Sequence, residues 1–240
     1  MTMNDPLRVF RGGDYQINQH ITMRQPTLDE ICSYGEREYY FLIQNLCATP
    51  ADHKLIIWES MKTYWEQIDE YLWFLQVFNT IKTLDMSIVL GNLNVGSFQI
   101  VENQKVGELV LCNEDGVIID RSIHHYLTDY LRQVHHLKKN VDTGYNNSTR
   151  DAMIEDDKDA RDLATKKPYQ SILLPLISAM TNSSEFKYRF DDVWSLPIGV
   201  FMDSVERVQK NKNYEHLMYG VYSGSIDSKS ISKKELMWIS

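Results

Sequence analysis

The sequence predicts a mainly α-helical α+β fold, a helical bundle with a short N-terminal β-hairpin and a small inserted antiparallel sheet. Apolar residues recur at the helical period of about 3.6 over long stretches, most regularly within 28–46 and 123–137. Between these stretches, over 87–119, short β-prone runs alternate with glycines, as is typical of strands and turns. The 240 residues can bury one sizeable core or two small ones.

A hairpin is predicted near the N-terminus because a glycine pair separates two short apolar runs. The runs are residues 7–10 and 15–18, and Gly12 and Gly13 lie between them. Glycine reaches positive φ at little cost, which tight turns between strands require. We therefore expect a small β element within residues 7–24.

A long helix is predicted after Pro26, which ends the β element. Thr27 and Glu30 form a T-x-x-E capping box, in which each side chain accepts from the backbone N–H of the other residue. The apolar face then continues over about five turns to Leu46. Gly35 lies on this face and weakens the helix, so we expect a neighbouring backbone to approach closely there.

Two further helices are predicted to complete a compact unit with the first. Thr49 and Pro50 give a capping hydroxyl and a proline at the first helical position, which starts a helix over 50–62. Residues 65–83 carry a broad apolar surface at helical spacing. The candidate core residues of the 50–62 helix are Leu55, Ile56 and Trp58.

The inserted sheet is predicted from short β-prone runs broken by Gly91, Gly96 and Gly107. The predicted strands cover 87–90, 98–101, 108–111 and 117–119. Residues 113–116 have turn composition and precede the last of these strands. We expect a small antiparallel sheet between helical parts of the chain.

A regular amphipathic helix is predicted next. Asp120 can accept from the first free backbone N–H groups, and the apolar stripe from Ile123 to Leu137 keeps the helical period. Lys138 and Lys139 then supply cations, which stabilise the C-terminal end of a helix. The helix should therefore include these two lysines.

The chain is predicted to divide at a polar segment rich in Asn, Gly, Ser and Thr, residues 141–150. The predicted parts are 1–140 with the hairpin, helices and inserted sheet, 141–150 as a linker, and 151–240 as a C-terminal helical region. In that region we expect a solvated helix over 151–166, an apolar helix kinked by Pro175, and a further helix that contains Trp194 and Phe201.

The acidic charge limits the classes of partner. The net charge is −8 and the isoelectric point about 5.4, so the averaged field repels nucleic acid and anionic membrane surfaces. No run approaches the roughly 18 consecutive apolar residues of a spanning helix, and residues 1–10 lack the apolar core of a secretion signal. We expect a cytoplasmic protein in which Cys32, Cys47 and Cys112 are reduced core thiols.

The pairs His124-His125 and His135-His136 are the strongest candidates for a metal site. The pairs are separated by about 16 Å of helix, which is too far for ligands of one ion. We expect surface histidines, with His125 paired to Asp129 one turn later. No nucleotide-binding, nucleophile-elbow or zinc-protease motif occurs, so we predict no catalytic site, no metal, no cofactor and no enzymatic activity.

Candidate protein-binding residues are aromatic and Met side chains, because these are enriched at protein interfaces. They are Trp58, Trp73, Trp194, Phe201, Met202 and Trp238. The same helical spacing is also typical of core residues, and this alternative stays open. Trp238 lies beyond the last predicted helix and is a candidate docking residue.

Several short strings spread along the chain indicate kinship. They are Gln25-Pro26-Thr27-Leu28, Lys167-Pro168-Tyr169, Val193-Trp194 with Leu196-Pro197-Ile198, and Tyr222-Ser223-Gly224 with Lys233-Lys234-Glu235-Leu236. In these strings the chain resembles a family of largely uncharacterised proteins from tailed bacteriophages of Gram-positive hosts. The strings carry no known chemistry, so they indicate relationship and not activity.

The resemblance implies a role in phage tail assembly. The plan of a short β element followed by helices, in an acidic chain, is similar to that of tail assembly chaperones. Such chaperones bind the tape-measure protein and recruit tail-tube subunits, so these proteins are the implied partners, with further copies of the chain in a homo-oligomer. The implied location is the host cell cytoplasm. Two alternatives stay open: a structural component of the virion, such as a connector or baseplate subunit, and a host-directed regulatory protein.

Overall fold

The computed structural model describes residues 6–104, 107–232 and 239, and it confirms the mainly helical α+β fold. The α-helices are α1 (Pro6–Phe10), α2 (Leu28–Tyr34), α3 (Glu36–Leu46), α4 (Lys54–Met61), α5 (Glu70–Ile81), α6 (Ser87–Leu90), α7 (Arg121–Val134), α8 (Asn147–Ala164), α9 (Leu173–Thr181), α10 (Phe190–Val193) and α11 (Ile198–Tyr222). The strands are β1 (Tyr15–Gln16), β2 (Thr22–Met23), β3 (Gln99–Asn103), β4 (Glu108–Cys112) and β5 (Ile118–Ile119). Short 3-10 helices cover Pro50–His53, Trp65–Gln67 and Ser228–Ser230.

The N-terminal hairpin forms later in the chain than the glycine pair predicts. The backbone N–H groups of Gly12 and Gly13 donate back into α1 and end that helix, and Gly12 has φ +78°, the left-handed conformation of helix C-caps. β1 pairs antiparallel with β2 through a turn in which Asn18 Oδ1 accepts from two backbone N–H groups. The predicted strand at 7–10 is therefore wrong, because the glycines cap a helix.

The predicted helix over 28–46 is two helices, because α2 ends at Gly35, whose φ is +102°. The capping box of Thr27 and Glu30 is confirmed, with N···O distances of 2.8 and 3.2 Å. A Cβ added to Gly35 would lie 2.6 Å from the Glu38 carboxylate, so the glycine does not mark the close approach of a neighbouring backbone. It provides the positive φ at which the chain changes direction into α3.

The predicted helices over 50–62 and 65–83 each begin with a 3-10 turn. The first turn precedes α4 and the second precedes α5. Leu55 is buried, whereas Ile56 is 50% exposed, Trp58 is half-buried and Ile57 is fully buried. A 3-10 turn advances about 120° per residue, compared with about 100° in an α-helix, so this entry rotates the buried face of α4. The prediction of Ile56 as a core residue is wrong for this reason.

The inserted sheet is antiparallel in the order β3-β4-β5, as predicted. The predicted strand at 87–90 is the helix α6. Asp85 Oδ1 accepts from the backbone N–H of Ser87 at 2.9 Å, and Gly91 ends the helical turn at φ +58°. Local capping therefore outweighs the β propensity of Ile88 and Val89.

α7 begins as predicted and ends earlier than predicted. Asp120 Oδ1 accepts from the backbone N–H of Ile123 at 2.8 Å. The helix ends at Val134, and His136 adopts the left-handed conformation at φ +52°. The lysines at 138–139 therefore follow the helix and do not belong to its last turn.

The C-terminal helices start at different residues from those predicted. α8 is largely solvated, as expected, with Ile154 buried, but it begins at Asn147, inside the predicted linker. Pro175 is the third residue of α9, where a missing N–H removes no intrahelical hydrogen bond, so the proline does not interrupt the helix. Trp194 lies between α10 and α11 and not within a helix.

The polar segment after α7 is tied to the preceding part of the chain. Thr49 Oγ1 donates to the carbonyl of Asn140 at 3.1 Å, and Trp65 Nε1 donates to the carbonyl of Asp142 at 2.8 Å. One hydrophobic cluster includes buried side chains from α1 to α11. The division of the chain at 141–150 stays a prediction, while these contacts hold the segment in place.

We expect Gly199→Ala to destabilise the packing of α11 on the rest of the fold. An added Cβ would lie 2.6 Å from Gln25 Oε1 and 3.3 Å from Val134 Cγ1. Gln25 is buried, and its Nε2 donates to the carbonyl of Val9 at 2.8 Å, so the side chain must give up this bond to move. The clash and the lost bond, about 2–4 kcal/mol together, exceed the gain of about 1 kcal/mol in helix propensity.

Chemical denaturation of the Gly199→Ala variant measures this effect. Gly96→Ala is the control, because an added Cβ at Gly96 meets no atom within 4 Å. A Gly199→Ala variant as stable as the unsubstituted chain would show that Gln25 repositions freely.

Candidate protein-binding groove

An apolar groove opens to solvent between α2, α9 and α10. Its volume is about 650 Å³. Its apolar lining consists of Leu28 and Ile31 from α2, Leu173, Leu174 and Ile177 from α9, and Phe190 and Trp194 at the two ends of α10. Cys32 also lines the groove and is exposed, so its prediction as a core thiol is wrong.

One wall of the groove is fixed by hydrogen bonds between distant backbone segments. The N–H of Leu28 donates to the carbonyl of Leu196 at 3.1 Å, and the N–H of Asp29 donates to the carbonyl of Trp194 at 2.9 Å. These are N–H groups of the first turn of α2, which have no acceptor within the helix. The start of α2 therefore requires the segment that carries Trp194.

The other wall, α9, is positioned by Glu36, the first residue of α3. Glu36 Oε1 accepts from the N–H groups of Ile172 and Leu173 at 2.8 and 2.6 Å. A carboxylate at this position also interacts favourably with the positive N-terminal end of the helix dipole. Ser171 Oγ accepts from the N–H of Leu174 at 2.8 Å, which satisfies a further donor of the first turn.

Four polar side chains of the groove lining are bonded within the chain. Thr181 Oγ1 donates to the carbonyl of Ile177, and Asn182 Nδ2 donates to the carbonyl of Ser178, each at 2.8 Å. Glu36 and Ser171 cap α9 as described. The surface offered to a partner is therefore mainly apolar, which favours apolar side chains over polar small molecules.

Two large apolar side chains of the groove lining are strongly exposed. Leu174 is 67% exposed and Phe190 is 61% exposed. The Phe190 ring packs edge-on against the Trp194 ring, with centroids 6.0 Å apart. This exposed apolar surface continues into the groove, which is the arrangement expected where a partner covers it.

The predicted binding residues are distributed between the groove and the core. Trp194 is half-buried and lines the groove. Trp73 is buried with its Nε1 bonded to His53 Nδ1, Phe201 is fully buried, and Met202 packs partly buried against the core. Trp58 stacks on Tyr64 and is likewise half-buried. Trp238 lies outside the described residues.

Leu174 and Phe190 are absent from the predicted binding residues, four of which are Trp. A signal was present in α9, whose nine residues include no charged side chain and carry apolar residues on several faces. A helix of this kind is normally covered on all sides. The exposure of Leu174 follows from the absence of a further element over that face in the part of the chain that the structure describes.

The prediction that all four paired histidines lie on the surface is wrong. His124 and His135 are buried, and desolvation lowers the pKa of each to about 4. His135 Nδ1 faces the carbonyl of Leu131, which can only accept, so Nδ1 carries the proton and Nε2 accepts from the Tyr39 hydroxyl. The predicted pair of His125 and Asp129 is present at the surface, at 3.2 Å.

Other candidate sites are weaker than the groove. Within the described ranges, no group of three His, Cys, Asp or Glu side chains is arranged to hold a metal ion. A polar cleft of about 800 Å³ contains Arg24, whose guanidinium is already paired with Glu30 at 2.7 Å. Of the helices described, none has the length and apolar character needed to cross a membrane.

Comparison with known proteins adds a relationship for the C-terminal part of the chain. No curated protein and no solved structure matches the chain. Residues 166–240 match a family model described as the YomV second domain. This region contributes α9, α10 and Trp194 to the groove, whereas α2 lies outside it. Residues 166–240 are therefore similar to a domain family with a phage-derived name, which is consistent with a phage protein.

Proposed function

We propose that this chain is a phage tail morphogenesis factor, an assembly chaperone that holds an apolar helical segment of the tape-measure protein in the groove between α2, α9 and α10. The observation that carries the proposal is the open groove with apolar walls and internally bonded polar groups. The similarity of residues 166–240 to a phage-derived family supports the phage context. The protein would act in the host cell cytoplasm, before tail assembly is complete.

An amphipathic helix fits this groove better than an extended strand. The walls are helices, whose backbone N–H and C=O groups are largely used within each helix, so they offer no sheet edge for strand addition. A helix presents apolar side chains at i, i+3, i+4 and i+7, and these can enter a groove without backbone hydrogen bonds. The exposed side chains of Leu174 and Phe190 supply apolar area for such a contact.

We expect the Leu174→Asp variant to lose the ability to keep the tape-measure protein soluble. Co-expression of the unsubstituted chain is expected to raise the soluble fraction of the tape-measure protein. A carboxylate in the covered groove would lose solvation without a partner, which weakens binding by about 100-fold or more. Leu174 is 67% exposed in the free chain, so its own stability should change by no more than about 0.5 kcal/mol.

Leu163→Asp is the matched control, because Leu163 is 55% exposed on α8 and does not line the groove. This variant should solubilise the tape-measure protein as well as the unsubstituted chain does. Equal solubilisation by the Leu174 variant would overturn the assignment of the groove. Mass spectrometry of purified virions tests the chaperone role separately, because stoichiometric amounts of this chain in mature particles would indicate a structural subunit instead.

A further inference from the structure

The groove lies in a negatively charged part of the molecule. The segments that build it, residues 28–38 and 172–194, carry seven carboxylates and three cations. The carboxylates are Asp29, Glu30, Glu36, Glu38, Glu185, Asp191 and Asp192, and the cations are Arg37, Lys187 and Arg189. All the charged residues within α2 and α10 are acidic, and α9 contains none.

Three of these carboxylates belong to residues whose backbone lies beside Trp194: Asp29, Asp191 and Asp192. The backbone bond from Asp29 to the carbonyl of Trp194 brings the start of α2 beside the end of α10. Asp191 and Asp192 follow Phe190, whose ring packs on Trp194. All three aspartates are exposed, and no ion pair neutralises them among the residues that the structure describes.

Three of the other acidic groups near the groove have partners within the chain. Glu30 is paired with Arg24 at 2.7 Å, and Glu185 lies 3.5 Å from the ammonium group of Lys212. Glu36 accepts from the backbone N–H groups that begin α9. At the Trp194 end, the three aspartates outnumber Arg189, the cation that directly precedes Phe190, so the charge that a partner meets there is negative.

We propose that the groove selects an amphipathic helix whose apolar stripe is bordered by Lys or Arg where it packs on Trp194. This inference rests on the proposed function and adds the chemistry of the bound segment. Charges at the border of an apolar contact act mainly on the association rate and on partner choice. Cations on the helix would meet Asp29, Asp191 and Asp192, whereas an acidic border would be repelled.

Two synthetic helical peptides with the same apolar stripe test the selection, one bordered by Lys and the other by Glu. Binding of each fluorescently labelled peptide to the full chain is followed by anisotropy and by stopped-flow mixing. We expect the Lys-bordered peptide to bind at least about tenfold more tightly, and its association to slow as salt is added. Equal binding of the two peptides, or binding of neither, would overturn the inference.

The variant Asp29→Asn/Asp191→Asn/Asp192→Asn should weaken binding of the Lys-bordered peptide by about tenfold, mainly through the association rate. Glu114→Gln/Asp156→Asn/Asp159→Asn removes the same charge from exposed positions outside the groove and should leave the affinity nearly unchanged. An equal loss in both variants would mean that only the net charge matters, which contradicts a local role for the aspartates.

Solubilisation of the tape-measure protein by the Leu174→Asp variant and by the aspartate variant distinguishes failure of the inference from failure of the proposed function. If the Leu174→Asp variant fails to solubilise the tape-measure protein and the aspartate variant solubilises it normally, the groove binds its partner without charge selection. If the Leu174→Asp variant solubilises it normally, the groove is not the binding site, and the proposed function and the inference both fail.

Discussion

Phe201→Ala is expected to lower the free energy of unfolding by about 3–5 kcal/mol, the usual cost of emptying a fully buried phenyl site. Phe201 has no exposed surface and lies in the first turn of α11. Its ring meets the ring of Phe186 edge-on, with centroids 6.4 Å apart. The loss should appear as a lower midpoint of urea denaturation with an unchanged dependence on denaturant.

Phe190→Ala is the matched comparison, because it removes the same side chain from a position that is 61% exposed. Its effect on unfolding should stay within about 0.5 kcal/mol, while its effect on binding in the groove should be large. The two substitutions therefore separate the core from the proposed interface. A stable Phe201→Ala chain with impaired binding would instead place Phe201 in the interface, as its prediction as a binding residue implies.

Acidification is expected to destabilise the fold well before the carboxylates titrate. His124 and His135 have pKa values of about 4 in the folded chain because burial desolvates the charged imidazolium, whereas the ordinary value is 6.5. The unfolded chain therefore binds more protons between these two values, and stability falls as the pH falls through this window. At about 1.4 kcal/mol per pKa unit, the combined loss is on the order of 5 kcal/mol.

Urea denaturation at several pH values between about 7 and 4.5 measures this loss. His124→Leu should reduce the slope of stability against pH by about half, because it removes one of the two groups. Phe190→Ala is the control, since Phe190 is exposed and carries no titratable group, so this substitution should leave the slope unchanged. A slope that His124→Leu does not alter would show that this imidazole is not the source of the acid sensitivity.

The carboxylates contribute in a lower pH range. Desolvation raises the pKa values of Glu66 and Asp69, but hydrogen bonds from Arg150 and Arg121 outweigh it, so both pKa values lie below their ordinary range. Their contribution to stability is present above the unfolded pKa and is lost as the pH falls through the folded pKa. This places their effect below about pH 4.5, separate from that of the histidines.

Local hydrogen bonding made much of the fold predictable. The helix starts at Thr27 and Asp120 follow from side-chain oxygens that accept from the backbone N–H group three residues later. Two of the wrong predictions concern glycine, whose positive φ is needed both in tight turns and at helix ends. Gly12 caps a helix instead of turning a hairpin, and Gly35 breaks a helix instead of admitting a neighbour.

The candidate site was less predictable than the fold. The sequence distinguishes Trp194 only by its residue type, whereas its place in the groove depends on backbone bonds to α2, far away in the sequence. Phe201 and Phe190 are the same residue type, but Phe201 is fully buried at the start of α11 whereas Phe190 is 61% exposed in α10. No local pattern distinguishes two such positions, because burial is decided by which distant elements meet.

The groove can form during synthesis only once two backbone hydrogen bonds can be made. These bonds join Leu28 to Leu196 and Asp29 to Trp194. During synthesis, α2 leaves the ribosome long before the segment that satisfies its first N–H groups and forms the opposite side of the groove. A growing chain therefore exposes Leu28 and Ile31 without the groove they later line. The proposed binding groove is therefore complete only after Trp194 has left the ribosome, so a partner that binds there would be captured after most of the chain has been made.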